Sequence, residues 1–253
     1  MDFIFLIQAR LGSTRLPEKV LMKVFDNITL LELVYKRVLI SKNSRKENVF
    51  VLTSKNPIDD RLEQYLIEKN INYFRGEENN VYKRFLDFLE KYKIDAKFIF
   101  RICGDNPFIE PLFINEMAHY LSDNENIDYL SYKDYKNIPA ILTHYGLFCE
   151  AIKLSAFKKA KSLINNEYEK EHVTPIFYHT EYFNSVFLNM PDILYGKEYR
   201  FTVDTKEDMD VIMKILKNFK NVNFSYFDIL EIIKKDNFIL KKMLKNIIKN
   251  GKE

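Results

Sequence analysis

Residues 3–7, Phe3-Ile4-Phe5-Leu6-Ile7, form an unbroken apolar run, the pattern of a short strand buried on both faces of a parallel sheet. Gly12 and Pro17 then mark a loop. Over 30–41 the period changes, and Leu30, Leu31, Val34 and Val38 fall on one helical face. Residues 49–53 make a second buried strand, 61–69 a helix, 71–74 a third strand, 81–92 an amphipathic helix and 98–102 a fourth strand. Strands alternating with helices predict an α/β chain with a mostly parallel central sheet flanked by helices.

Beyond Ile109 the alternation loosens. The pattern predicts a helix over 113–121, a strand over 129–132 and an extended excursion over 138–148. Helices follow over 153–164 and 171–178, then a late strand over 199–203 ending at Asp204, and a helix over 208–217. The segment 226–248 reads as amphipathic and rich in lysine. A packed helix pair with a solvated lysine face explains it better than a helix lying on a membrane surface. No internal repeat or Pro/Gly/Ser linker appears, so one continuous domain is expected.

Composition narrows the function classes. With 39 basic and 36 acidic residues the net charge is +3, too balanced for a general nucleic-acid binder. Phosphate binding must then be local. Cys103 and Cys149 have no metal-ligand spacing and imply no disulfide framework. The apolar N-terminus lacks a basic region and a small-residue cleavage site, so it is not a signal peptide. No apolar run reaches the ~20 residues that span a bilayer. The cytoplasm is the expected location, with neither membrane nor nucleic acid as partner.

The loop after the first strand, Gln8-Ala9-Arg10-Leu11-Gly12-Ser13-Thr14-Arg15-Leu16-Pro17-Glu18-Lys19, carries the most chemistry. In open α/β sheets ligands bind beyond the carboxyl ends of strands. Gly12 and Ser13 let backbone amides approach phosphate oxygens. Arg10 and Arg15 offer forked donors and Lys19 a compact cation. The spacing is not that of a P-loop, and the same residues also suit an ordinary polar loop of solvated charges. Asp105 and Asp204 each end a predicted strand at the same sheet edge. Two carboxylates with waters and phosphate oxygens meet the needs of Mg²⁺. Each also has a local reading, Asp105 in a turn and Asp204 before a helix start.

The loop resembles the signature of the spore-coat polysaccharide biosynthesis protein F family, relatives of CMP-KDO synthetase and the acylneuraminate cytidylyltransferases. Gln8 is typical of the spore-coat branch, and Glu18 stands where most members carry glycine. Thr53-Ser54 with Asp59-Asp60, Arg75-Gly76-Glu77-Glu78-Asn79-Asn80-Val81 and Arg101-Ile102-Cys103-Gly104-Asp105-Asn106-Pro107-Phe108-Ile109 resemble further family blocks. So do Glu171-His172-Val173-Thr174-Pro175 and Arg200-Phe201-Thr202-Val203-Asp204-Thr205. The likeness runs from about Ile4 to about Ile212.

The resemblance implies a Rossmann-like nucleotide-diphospho-sugar transferase fold with a small excursion in its second half. It implies a nucleotide-binding half over 1–110, an acceptor-binding half over 111–225 and C-terminal helices over 226–253. The implied enzyme is a Mg²⁺-dependent cytidylyltransferase that joins CMP from CTP to a small sugar-like acceptor, with a homodimer as the expected assembly. Arg10, Lys19 and Asp105 would be catalytic. Ala9, Leu11, Gly12, Ser13, Arg15, Thr53, Ser54, Arg75 and Gly104 would join them around the nucleotide. Glu150, Glu171 and His172 would face the acceptor, and Asp105 and Asp204 the metal. Cys103, where the family usually has threonine, reads as a small buried residue rather than a nucleophile. A glycosyltransferase of related fold is the rival. Such enzymes usually carry Asp-x-Asp, and Asp105-Asn106-Pro107 lacks the second aspartate.

Overall fold

In the computed structural model, which describes residues 1–250, the first apolar run is β1 (Phe3–Gln8), with Ile4 to Ile7 wholly buried. The hairpin β2 (Lys23–Phe25) and β3 (Ile28–Thr29) leads into α1 (Leu30–Val38). Then come β4 (Val49–Ser54), α2 (Asp60–Glu68), β5 (Tyr73–Gly76), α3 (Val81–Lys91) and β6 (Phe98–Cys103). α4 (Pro111–Asp123) and β7 (Tyr129–Lys133) follow, then β8 (Glu150–Lys153) and α5 (Leu154–Ala160). The short helices α6 (Glu167–His172) and α7 (Pro175–Tyr178) precede β9 (Ser185–Asn189). α8 (Lys206–Leu216), α9 (Tyr226–Lys235) and α10 (Asn237–Asn250) close the described chain. Positions 251–253 of the expected C-terminal helices lie outside the described residues.

The seven-stranded sheet has the order β5-β4-β1-β6-β8-β7-β9. β1 pairs in parallel with β4 and β6, β4 with β5, and β7 with β9. β8 is antiparallel to both its neighbours, so it runs against the other six strands. The sheet is therefore mostly parallel, as expected. From β1 the chain first builds outward through β4 and β5, then returns to lay β6 on the other side. That reversal opens a crevice beyond the carboxyl ends of β1 and β6. Apolar side chains cover both faces. One cluster holds Phe5, Ile7, Val34 and Phe100, the other Leu6, Phe85, Ile99 and Phe157.

Four expectations change. Residues 199–203 are extended and buried but join no strand. The Phe201 amide donates to the carbonyl of His144 and the Val203 amide to that of Asp105, so loops take the bonds of a ladder. β8 falls in the gap between the excursion expected over 138–148 and the helix expected from 153, and takes that helix's first residue. Its first residue is Glu150, whose charge disguised a position only 1 % exposed. The helix over 171–178 is instead α6 and α7, parted at Val173 (φ +71°), with Pro175 opening α7. A left-handed residue cannot continue a right-handed helix, so α6 ends at Val173 and Pro175 starts a new turn. β9 was not anticipated, since its half-exposed edge position shows no clean alternation. Among the described residues no helix is long and apolar enough to cross a membrane.

Candidate active site

The loop after β1 is held from below. The Leu11 amide donates to Asp59 Oδ1 at 2.7 Å, and the Ser54 amide and hydroxyl both donate to Asp59 Oδ2. Asp59 is fully buried, a carboxylate that ties the first two βα loops together. The Ser13 and Glu18 amides return to the Leu11 carbonyl, which folds the loop into a tight arch. Closing the arch puts Glu18 at φ +57°, the left-handed region. This accounts for the glycine that most members of the resembled family carry there.

Glu18→Gly is accordingly expected to stabilise the protein by ~0.5–1 kcal/mol. The left-handed backbone costs an L residue about 1–2 kcal/mol, and glycine gives back roughly 0.5–1 kcal/mol in lost chain entropy. The ion pair from Glu18 to Arg61 is exposed and offsets little. A higher urea midpoint at unchanged slope is the expected reading. A lower midpoint would show that the Arg61 pair holds the arch.

Past the arch the chain turns inward, and the Lys19 side chain enters a cluster of opposite charge. Its Nζ donates to the Val203 carbonyl at 2.6 Å, to Asp105 Oδ2 at 2.7 Å and to Asp204 Oδ1 at 3.3 Å. Burial works against this charge, but Asp105 and Asp204 outweigh it and hold the lysine pKa above its ordinary value. The two carboxylates, 99 residues apart in sequence, thus share one ammonium. Asp204 also meets Arg15 at 3.0 Å and Arg200 at 3.1 Å. Arg200 is wholly buried and forks onto Asp208 at 2.7 and 3.0 Å, with Nη1 lying 2.7 Å from His144 Nδ1. Burial opposes the Asp208 charge, yet hydrogen bonds from Arg200 and Asn246 leave its pKa below the usual aspartate value. Gly104 is required where β6 ends. A Cβ there would come within 2.9 Å of the Gln8 carbonyl and 3.1 Å of the Ala9 side chain.

These residues border a cleft in two joined parts. One part is walled by the arch, with Ala9, Arg10, Gly12, Ser13 and Lys19. The other, of about 440 Å³, is lined by Arg101, Thr143, Tyr168, Tyr178 and Thr202 among others. Gln8, Arg15, Cys103, Asp105, His172 and Asp204 face both. Arg10 reaches across to Glu171 at 3.2 Å, so α6 closes over the arch.

Other expected site residues lie off the cleft. Glu150 is buried beneath it, accepting from Arg101 and, at 2.6 Å, from the Tyr129 hydroxyl. Burial opposes the Arg101 charge, but Cys103 and Glu150 beside it keep its pKa above the ordinary arginine value. Arg101 also donates to Gln8 Oε1 at 3.0 Å. Arg75 is engaged by Asp60 at 2.7 Å, Glu63 at 2.5 Å and the Ser54 carbonyl at 2.9 Å, and borders a separate hollow with Tyr73 and Tyr92. Thr53, Ser54 and Leu11 are fully buried, and Ser54 and the Leu11 amide both bond Asp59 behind the arch. Arg200, Asp208 and Thr202 carried no role in the sequence reading. For Arg200 and Thr202 the signal lay in the block 200–205, where an arginine four residues before an aspartate sits among apolar neighbours.

A sequence model of the cytidylyltransferase family matches residues 4–246, well past the limit of the resemblance near Ile212 and through most of α10. The chain is 36 % identical over 216 residues to the spore coat polysaccharide biosynthesis protein SpsF of Bacillus subtilis, covering 83 % of this chain and 85 % of that protein. A solved cytidylyltransferase from Leptospira borgpetersenii superposes with a TM-score of 0.82 at 33 % identity, over 95 % of this chain and 97 % of that one. A CMP:2-keto-3-deoxy-manno-octonic acid synthetase solved with CTP shares the fold, with a TM-score of 0.66 at 16 % identity over 86 % and 99 % of the two chains. With the family model matched along nearly its whole length, the chain belongs to the cytidylyltransferase family.

Proposed function

We propose that the protein transfers CMP from CTP to a sugar acid or phosphorylated sugar-like acceptor, releasing pyrophosphate, in surface polysaccharide or glycoconjugate biosynthesis. The observation that carries this reading is the convergence of Lys19, Asp105 and Asp204 beside the arginines of the arch. An acceptor oxygen attacks the α-phosphorus, the new P–O bond forms, and the bond to the β-phosphate breaks with pyrophosphate as leaving group. Arg10 and Arg15 border the part of the cleft that suits the triphosphate and supply charge where the leaving group develops it. The other part, with His172 and Glu171 at its edge, suits the acceptor. Lys19 is expected less on the phosphates than between the carboxylates, keeping them close despite their repulsion.

The donor set fits Mg²⁺. Asp105 and Asp204 converge on one cation and keep part of their surface toward the cleft. Among the described residues no three His, Cys, Asp or Glu side chains gather into a site of protein ligands alone. Two carboxylates completed by water and phosphate oxygens is the usual arrangement for this ion. Asp105 and Asp204 would hold it, and it would neutralise charge on the α-phosphate and pyrophosphate.

The test is a pyrophosphate-release screen of CTP, UTP, ATP and GTP against keto-deoxy acids and sugar phosphates. CTP is expected to support release and the others to fall at least tenfold behind. Equal rates with another triphosphate would end the CTP assignment. Free nucleoside diphosphate from a sugar nucleotide would favour the glycosyltransferase reading instead.

A further inference from the structure

The buried face of α10 is Ile239, Met243 and Asn246, at spacings of four and three. The first two are what a helix packed on α8 needs. The third is a polar amide in the same stripe, only 5 % exposed. A buried amide without partners costs free energy that an apolar side chain of similar size avoids. This one has a partner, since Asn246 Nδ2 donates to Asp208 Oδ1 at 2.9 Å.

Asp208 is the hub of the polypeptide around Asp204. Its Oδ2 accepts the backbone amides of Asp204 at 3.0 Å and Thr205 at 2.9 Å. Its two oxygens also take the fork of Arg200. Arg200 Nη2 is shared between Asp208 Oδ2 and Asp204 Oδ2, at 3.0 and 3.1 Å. The orientation of the Asp208 carboxylate therefore sets both the backbone at Asp204 and the guanidinium against its side chain. Among the described residues, the amide of Asn246 is the one hydrogen bond to that carboxylate from outside the segment 200–208. It approaches Oδ1, the oxygen that Arg200 Nε also holds, and so resists rotation of the group about its Cβ–Cγ bond.

We infer that Asn246 is a positioning residue: through Asp208 and Arg200 it holds the Asp204 carboxylate in the geometry that receives the metal ion. The role rests on the reading of Asp204 as a metal ligand given above. It gives the terminal helix a function beyond covering α8.

The experiment measures Mn²⁺ binding to the full-length, CTP-saturated protein by water-proton relaxation, which separates protein-held ion from the ion–nucleotide complex in solution. Asn246→Ala is expected to weaken binding about three- to tenfold, and Asp204→Asn more. Met243→Ala loosens the same helix without touching the amide. It should lower the Tm yet leave Mn²⁺ affinity within twofold of wild type. Asn246→Leu, which fills the space without a donor, gives the same reading should the alanine variant not fold, and Asn246→Gln, which keeps an amide, should recover part of the loss. Wild-type affinity in Asn246→Ala alongside a weakened Asp204→Asn overturns the positioning role and leaves the metal reading standing. Equal weakening in Met243→Ala also overturns it, as an effect of helix packing. Wild-type affinity in Asp204→Asn removes Asp204 from the metal reading and the role of Asn246 with it.

Discussion

Lys19→Met is expected to lower turnover about a hundredfold while leaving the fold intact. Methionine keeps the aliphatic stem and removes only the ammonium. The lost contacts are to two carboxylates and a carbonyl, and a hydrogen bond to a charged group contributes roughly 1.5–3 kcal/mol. Asp204 retains Arg15 and Arg200. The two carboxylates then repel, and the cleft loses the geometry that chemistry needs. At roughly 1.4 kcal/mol per factor of ten, the loss of one to two such contacts in the transition state gives the stated size.

The pH dependence has a definite sign. A lysine whose folded pKa is raised contributes stability that is fully present below its ordinary value of 10.5 and is lost as pH rises through the folded value. The stability difference between wild type and Lys19→Met should therefore be constant through neutral pH and shrink only in strong alkali. Steady-state pyrophosphate release and urea unfolding at several pH values check both statements. Turnover within twofold of wild type would take the lysine out of the machinery.

Glu150→Ala should cost about 3–5 kcal/mol of stability, the range for removing one partner of a buried ion pair. Arg101 and Glu150 are each at most 5 % exposed, and the glutamate also receives the Tyr129 hydroxyl. Without the carboxylate the guanidinium is left under the cleft with Gln8 as its side-chain partner, and the tyrosine loses its acceptor. Glu150→Gln should cost less, because the amide oxygen can still accept from Arg101 while its NH2 faces the Tyr129 hydroxyl, which can turn to accept. The double variant Arg101→Met/Glu150→Leu should recover most of the loss, since an apolar pair of similar volume often matches a buried ion pair. Denaturant unfolding of the four proteins forms the cycle. If Glu150→Ala proves as stable as wild type but raises the KM for the acceptor, the glutamate reads the acceptor after all, as the resemblance implied.

The parallel half of the fold was legible because its strands are buried on both faces and announce themselves as apolar runs. Phe3 to Ile7 and Phe98 to Ile102 leave little room for another reading. The rest hid for physical reasons. β8 begins with a glutamate whose partner lies 49 residues earlier, and nothing local marks such a charge as buried. Residues 199–203 have the alternation of a strand, but alternation reports burial and not which carbonyl receives each amide. In the site, Arg10, Arg15 and Lys19 were visible because cations clustered after a strand are unusual. Asp59 and Asp208, which shape the loops from behind, look like any aspartate near a helix start. Arg75 shows the opposite failure, a basic residue in a family-like block whose guanidinium is taken up by Asp60 and Glu63.

The sharing of Lys19 between Asp105 and Asp204 also bears on biosynthesis. When Asp105 leaves the ribosome, β1, β4, β5 and β6 have been made and can pair, yet Asp204 is 99 residues away. At roughly 5–20 residues per second this interval is ~5–20 s. Through it the arch can meet only one of its two carboxylates, and for about the first half of it the exposed flank of β6 awaits β8 (Glu150–Lys153). Contacts of such long sequence separation form late and slowly. The half-built sheet thus offers an open, apolar strand edge to other nascent chains, and this is the stage at which a chaperone has most to protect.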